Sequence, residues 1–199
     1  MKQKIKADFT TLTLVLIPVA IVINIVVGNI IQVVLKLPIY LDSIGTILVA
    51  ALAGPLPGAL TGVLSNLIWG ILFSNPIIMP FALTACCIGL VAGWLASRQV
   101  FKNILLTILG GIVTGIVAAI VSAPIAAFLF GGVTGSGTDA LVAFSQAIGL
   151  NILQATLGQG LVSDPLDKTV TFIVVWFILR GMSQRYLSRF PRASNLLHH

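Results

Sequence analysis

The residues with the means to do chemistry are few in this chain, and they gather at the ends of long apolar runs. Asp164, Asp167 and Lys168 fall within Ser163-Asp-Pro-Leu-Asp-Lys-Thr169. Asn151, Gln154 and Gln159 lie just before them, Asp42, Ser43 and Thr46 open an earlier apolar run, and Asn66 and Trp69 close the next. A carboxylate–ammonium pair with amides, hydroxyls and an indole makes a recognition surface for a polar small molecule. Each group also has a purely structural reading. Aspartate at a helix start is favoured by free backbone N–H groups and the helix dipole, and Pro165 suits a first turn. Asn66 would equally serve an interhelical hydrogen bond, and Trp69 an anchor at the membrane interface.

Bond-breaking chemistry is not indicated. The only histidines are the final two residues, so a serine nucleophile has no imidazole base in the body of the chain. There is no G-x-x-x-x-G-K-[ST] phosphate loop and no H-E-x-x-H metal motif. No cofactor, metal or ATP site is therefore expected in this chain. Cys86 and Cys87 are adjacent, point about 100° apart on a helix, and read as small packing residues. His198 and His199 read as remnants of a purification tag.

Composition sets the solvent. Hydrophobic residues make up 58% of 199 and charged residues 8%, against about 25% charged in a water-soluble domain. Most of the surface must face hydrocarbon. The length allows one bundle, a single transmembrane domain over residues 1–199. Eleven Lys and Arg against five Asp give a net +6, and no basic stripe is interleaved with aromatics as in nucleic-acid-binding surfaces. Nucleic acid is excluded as a partner.

The elements that must position the polar groups follow from the apolar runs. Spans are expected over about 9–34, 42–53, 59–73, 80–96, 104–130 and 170–182, the last starting near Pro165. Breaks fall at Lys36-Leu-Pro38, Gly54-Pro-Leu-Pro-Gly58, Ser74-Asn-Pro76, Ser97–Lys102 and the linker Gly131–Gly137. Segment 139–161 is long enough to span but rich in amides. With six spans and a cytoplasmic N-terminus, nine of the eleven basic residues lie inside, Lys36 and Lys168 excepted. A seventh crossing would put the four-arginine tail outside. The fold class is thus all-α: six transmembrane helices, with an extracellular, partly helical segment before the last. Asp42, Asp139, Asp164 and Asp167 all map to the outer side. On the first helix, Ala20, Asn24 and Gly28 at four-residue spacing form one face that another helix can approach closely. That face reads either as a docking stripe for a membrane partner or as packing within the chain.

Tyr40-Leu-Asp-Ser-Ile-Gly-Thr46, Gly54-Pro-Leu-Pro-Gly58 with Asn66, and Asp164-Pro-Leu-Asp-Lys168 together resemble the substrate-binding S-components of energy-coupling factor (ECF) vitamin transporters. The resemblance extends over the whole chain in length, topology and polarity. It implies a subunit of an ECF-type ABC importer in the bacterial plasma membrane, with both termini cytoplasmic. Such a subunit captures a vitamin outside and associates with a transmembrane coupling subunit and two cytoplasmic ATPases, which use the ATP. The resemblance implies docking through Ala20, Asn24 and Gly28. It also implies a cavity capped by loops 33–42, 74–79 and 131–168, which adds Tyr40 and Asn75 to the expected substrate-binding residues. Among vitamins, cobalamin is the first expectation; riboflavin, pyridoxine, pantothenate and a queuosine precursor are alternatives. A membrane sensor or scaffold and an autonomous facilitator are the competing classes.

Overall fold

A computed structural model describes residues 8–196. The basic leader Met1–Lys6 and the terminal His198 and His199 lie outside the described residues. Helix α1, Thr11–Gly28, continues as a π-helical stretch over Asn29–Val34. Helices α2 (Ile44–Ala53) and α3 (Pro55–Leu72) follow. A 3-10 turn over Pro76–Phe81 leads into α4, Ala82–Ser97. Then come α5 (Ile104–Phe130), α6 (Asp139–Ala147), α7 (Ile152–Gly181) and the short α8 (Gln184–Leu187). No strand occurs among the described residues.

Four helical stretches are long and apolar enough to cross a membrane: Thr11–Val34, Pro55–Leu72, Pro76–Ser97 and Ile104–Phe130. Two expected spans differ from them. Helix α2 has ten residues, all buried, and is walled in by its neighbours rather than by lipid. Helix α7 has thirty residues, and every eighteen-residue window in it contains Asp164, Asp167 and Lys168.

The expected start of the last helix near Pro165 is corrected. The helix begins thirteen residues earlier, and Pro165 lies inside it. The cause is local. Asn151 accepts a hydrogen bond from the Gln154 backbone N–H (2.9 Å), and the Gln154 side chain accepts one from the Asn151 N–H (3.2 Å), forming a reciprocal capping box. At ~1.5 Å per residue α7 is about 45 Å long, longer than a hydrocarbon core of ~30 Å. Segment 139–161 is therefore divided between α6 and the first third of α7.

The break expected at Gly54–Gly58 shrinks to one residue. Gly54 has φ +108°, a conformation that a residue with a Cβ rarely adopts, and α3 starts immediately at Pro55. The first and last parts of the described residues meet at this corner. Arg192 donates to both carboxylate oxygens of Asp8 (2.8 and 2.7 Å), and its backbone N–H donates to the Leu52 carbonyl (3.1 Å). Leu187, Phe190, Ala193 and Leu196 bury themselves below the bundle as the tail passes.

The docking stripe on α1 is also corrected, because Ala20, Asn24 and Gly28 are all buried inside the chain. A Cβ on Gly45 of α2 would collide with the Ala20 carbonyl, so the two backbones touch. Asn24 then bridges three elements. Its Nδ2 donates to Thr46 Oγ1 (2.8 Å) and Ser65 Oγ (2.9 Å), and its Oδ1 accepts from Gly45 N (2.7 Å). A buried amide with every group satisfied stabilises this packing; left unpaired it would cost ~1–3 kcal/mol. The opposite face of α1, with Val15, Val19, Val22, Val26 and Ile30, is exposed.

The most extensive packing lies between α5 and α7. Thr107, Gly111, Gly115, Ala119, Ala123 and Ala127 recur every fourth residue on α5 and are all buried. A Cβ at Gly115 would strike the Pro165 backbone, so this stripe brings α7 close at the turn that carries its charges.

Candidate functional site

The loop between α1 and α2 returns across the middle of α7, and the ionic groups meet there. Lys168 Nζ lies 2.6 Å from Asp167 Oδ2, 3.3 Å from Asp42 Oδ1 and 3.0 Å from Ser43 Oγ. Asp167 is completely buried, and its second oxygen accepts from the backbone N–H groups of Tyr40 (2.9 Å) and Leu41 (2.7 Å). An ammonium with three oxygen neighbours, facing carboxylates that are themselves hydrogen-bonded, is the arrangement that lets buried ions recover their lost hydration. Gln32 donates to Asp42 Oδ2 (3.3 Å) and to the Tyr40 carbonyl (3.4 Å). Burial alone would raise the Asp42 carboxyl. The Lys168 ammonium outweighs it, with hydrogen bonds from Ser43, Lys168 and Gln32, and holds Asp42 below the usual carboxylate range. Burial pushes the Tyr40 phenol up; the Asp164 carboxylate adds to this, while hydrogen bonds with Thr138 and Gln159 oppose it.

Above this cluster lies a cavity with about 940 Å³ of empty space, counting the open solvent at its mouth. Its lining has two characters. Trp69, Ile77, Ile78, Phe81, Ala85, Ile88, Ala118, Ala123 and Val142 give apolar walls from α3, the 3-10 turn after it, α4, α5 and α6. Gln32, Tyr40, Asp42, Thr134, Ser136, Thr138, Gln159, Asp164 and Lys168 give a polar side.

A chain of hydroxyls runs along that side. Thr134 Oγ1 lies 2.9 Å from Ser136 Oγ, which lies 2.7 Å from Thr138 Oγ1, which lies 3.2 Å from the Tyr40 hydroxyl; Gln159 donates to that hydroxyl at 3.3 Å. Asp139 shapes the loop by accepting from Thr134 N (3.1 Å), Thr134 Oγ1 (2.8 Å) and Gly135 N (2.8 Å).

Three lining groups have unused capacity. Thr84 Oγ1 is buried with no hydrogen-bond partner. Asn66 makes no side-chain hydrogen bond among the described residues, although it is only 7% exposed. Asp164 accepts from Ser122 Oγ at 3.3 Å and forms no ion pair, unlike the carboxylates three and 122 residues away from it in sequence.

Of the residues expected to bind substrate, Tyr40, Asp42, Ser43, Asn66, Trp69, Gln159, Asp164 and Lys168 line this one cavity. The others are placed elsewhere. Thr46 is held by Asn24 between helices, and Asn75 caps the following 3-10 turn through Ile77 N (3.3 Å). Asn151 and Gln154 are exposed and committed to the α7 cap. Asp167 lies beneath the cavity floor, where it fixes Lys168 and the 40–41 backbone. Gln32, Thr84, Ser122, Thr134, Ser136, Thr138 and Asp139 line the cavity without having been singled out as binding residues. Thr84 and Ser122 are lone hydroxyls inside apolar helices, and the 134–138 hydroxyls sit in what reads as a flexible glycine linker.

No curated protein and no solved structure matches this chain. The family model described as ECF-type riboflavin transporter, S component, matches residues 8–168, which takes in α1 to α6 and the part of α7 that carries the ionic cluster. With that match covering most of its length, the chain belongs to the S-component family of ECF-type riboflavin transporters: a membrane subunit that serves transport in association with an ECF module, and not an enzyme in itself.

Proposed function

We propose that this chain captures a flavin-class vitamin, a planar heterocycle bearing a polyol chain, in the cavity above Asp42 and Lys168. The observation that carries this reading is the division of the lining. Apolar walls headed by Trp69 and Phe81 suit a flat ring, and the hydroxyl row from Thr134 to Tyr40 suits a polyol. Thr84, Asn66 and Asp164 offer polar capacity that no protein group uses. The match to a riboflavin S-component family supports the same substrate. It lends no support to cobalamin, the first expectation from sequence. A corrinoid is several times larger than a flavin.

In this reading the chain crosses the plasma membrane six times, with α2 and α7 completing the four apolar spans, and the cavity opens outward. Both termini then lie in the cytoplasm. Delivery requires the coupling subunit and two ATPases. Since Ala20, Asn24 and Gly28 are buried, the coupling subunit meets the exposed valine face of α1 instead.

Riboflavin is fluorescent, so binding is read directly by titrating it with purified chain in detergent. Saturable one-to-one quenching is expected, with cobalamin unable to compete. Replacing Asp164 with Asn removes a charged acceptor, and affinity falls roughly 10- to 100-fold. Absence of riboflavin binding by protein shown to be folded, or its displacement by cobalamin, overturns the flavin assignment.

A further inference from the structure

A second cavity lies at the C-terminal end of α7, about 18 Å along the helix from Lys168. It holds about 530 Å³ of empty space, counting open solvent at its mouth, between α7, the 98–103 turn and the tail. Phe101, Leu187 and Leu196 give it an apolar side, and Arg180 and Gln184 a polar, exposed rim. The Arg180 guanidinium stacks 4.9 Å from the Trp176 ring and donates one N–H to the Lys102 carbonyl (3.0 Å), leaving its other donors free. The Trp176 indole N–H, in the same wall, is buried without a partner. A matching pair stands nearby on α4, where Arg98 lies 5.4 Å over Trp94. Tryptophans capped by arginines at one end of a membrane bundle mark the depth of the lipid headgroups.

Lys102 and Arg185 are exposed beside this rim, and the described acidic residue at this end, Asp8, is already paired with Arg192. The positive field is therefore uncompensated. Basic clefts between membrane helices hold anionic headgroups, and a guanidinium fork suits a phosphate.

We propose that this cleft binds one anionic phospholipid. Its phosphate lies on Arg180 and Gln184, and the upper part of an acyl chain lies on Phe101, Leu187 and Leu196. The site is independent of the vitamin cavity and of the flavin reading.

The test is to titrate the full chain in a neutral detergent with phosphatidylglycerol, and to count retained lipid by mass spectrometry of the intact protein. One phosphatidylglycerol is expected to be retained and phosphatidylcholine not. Arg180→Gln weakens retention roughly tenfold. Arg189→Gln, the same charge change at an arginine that does not line the cleft, leaves it within about twofold. Gln184→Glu places a carboxylate on the exposed rim and weakens retention without touching the packing, so the test survives misfolding of the Arg180 variant. Equal retention of phosphatidylcholine, equal losses at Arg180 and Arg189, or no loss at either rim residue overturns the proposal. Displacement of the lipid by millimolar inorganic phosphate also overturns it, in favour of a free-phosphate site.

Discussion

The middle and the C-terminal end of α7 treat charge in opposite ways. Around Asp167 and Lys168, in the middle, ions are sunk into the protein and held by one another, by Ser43 and by the 40–41 backbone. At the Arg180 end, the cation lies on the surface, stacked on an indole and tied to a carbonyl. The buried middle gains fixed geometry: a loop 127 residues distant in sequence is pinned to the helix through Asp167. It is correspondingly intolerant of losing one member. The exposed end gives up that precision and remains free to meet an outside charge.

The largest effect expected from breaking this contrast comes from Lys168→Met, which leaves Asp42 and Asp167 without their cation. Removing one partner of a buried ionic cluster costs about 3–5 kcal/mol. Thermal unfolding in detergent should show that loss, whereas Arg180→Met should cost under about 1 kcal/mol, as exposed charges do. Equal losses at the two positions would erase the distinction.

Gly115→Val comes next, because its side chain would enter the Pro165 backbone and push α7 away from α5. Overpacking of this kind costs about 1–3 kcal/mol. It should also weaken vitamin binding by displacing Asp164, which circular dichroism melts and a riboflavin titration would report separately.

The acid limb sharpens the contrast further. Asp42 is held below its ordinary range when folded, so its contribution to stability is fully present above about pH 4 and lost only as pH falls through the lowered value. A melt series from pH 8 to 3 should be flat with respect to this group until below pH 4, and Asp42→Asn should remove its share of the acid-side decline.

The smallest effect belongs to Asn151→Ala, which removes the α7 cap at about 1 kcal/mol and should leave riboflavin affinity unchanged. A large affinity loss there would return Asn151 to the binding site.

These cases also show what was legible in the sequence. Asp42, Asp164, Asp167 and Lys168 were readable as one site because so apolar a chain has nowhere else to place ions. Amides carry no such constraint. Asn151 and Gln154 look like ligand-binding groups, yet their N-x-x-Q spacing is that of a capping box, and the cap decided their role. Small residues at four-residue spacing were equally ambiguous. The Ala20–Gly28 stripe suggested an external partner, and it closes on α2 and α3 instead. The longer run from Thr107 to Ala127, which sets the α5–α7 contact, passed as ordinary apolar helix. Thr84 and Ser122 were hidden for a different reason, since a single hydroxyl in a membrane helix usually bonds its own backbone. Only the tertiary packing shows Thr84 left without a partner.

The ion pair between Asp8 and Arg192 has a consequence of parity. Two points joined by a hydrogen bond cannot lie on opposite sides of a slab some 30 Å thick. With the first and last turns of the described chain clasped at the Gly54 corner, the path between them crosses any bilayer around it an even number of times. Odd counts are ruled out whichever way the molecule faces.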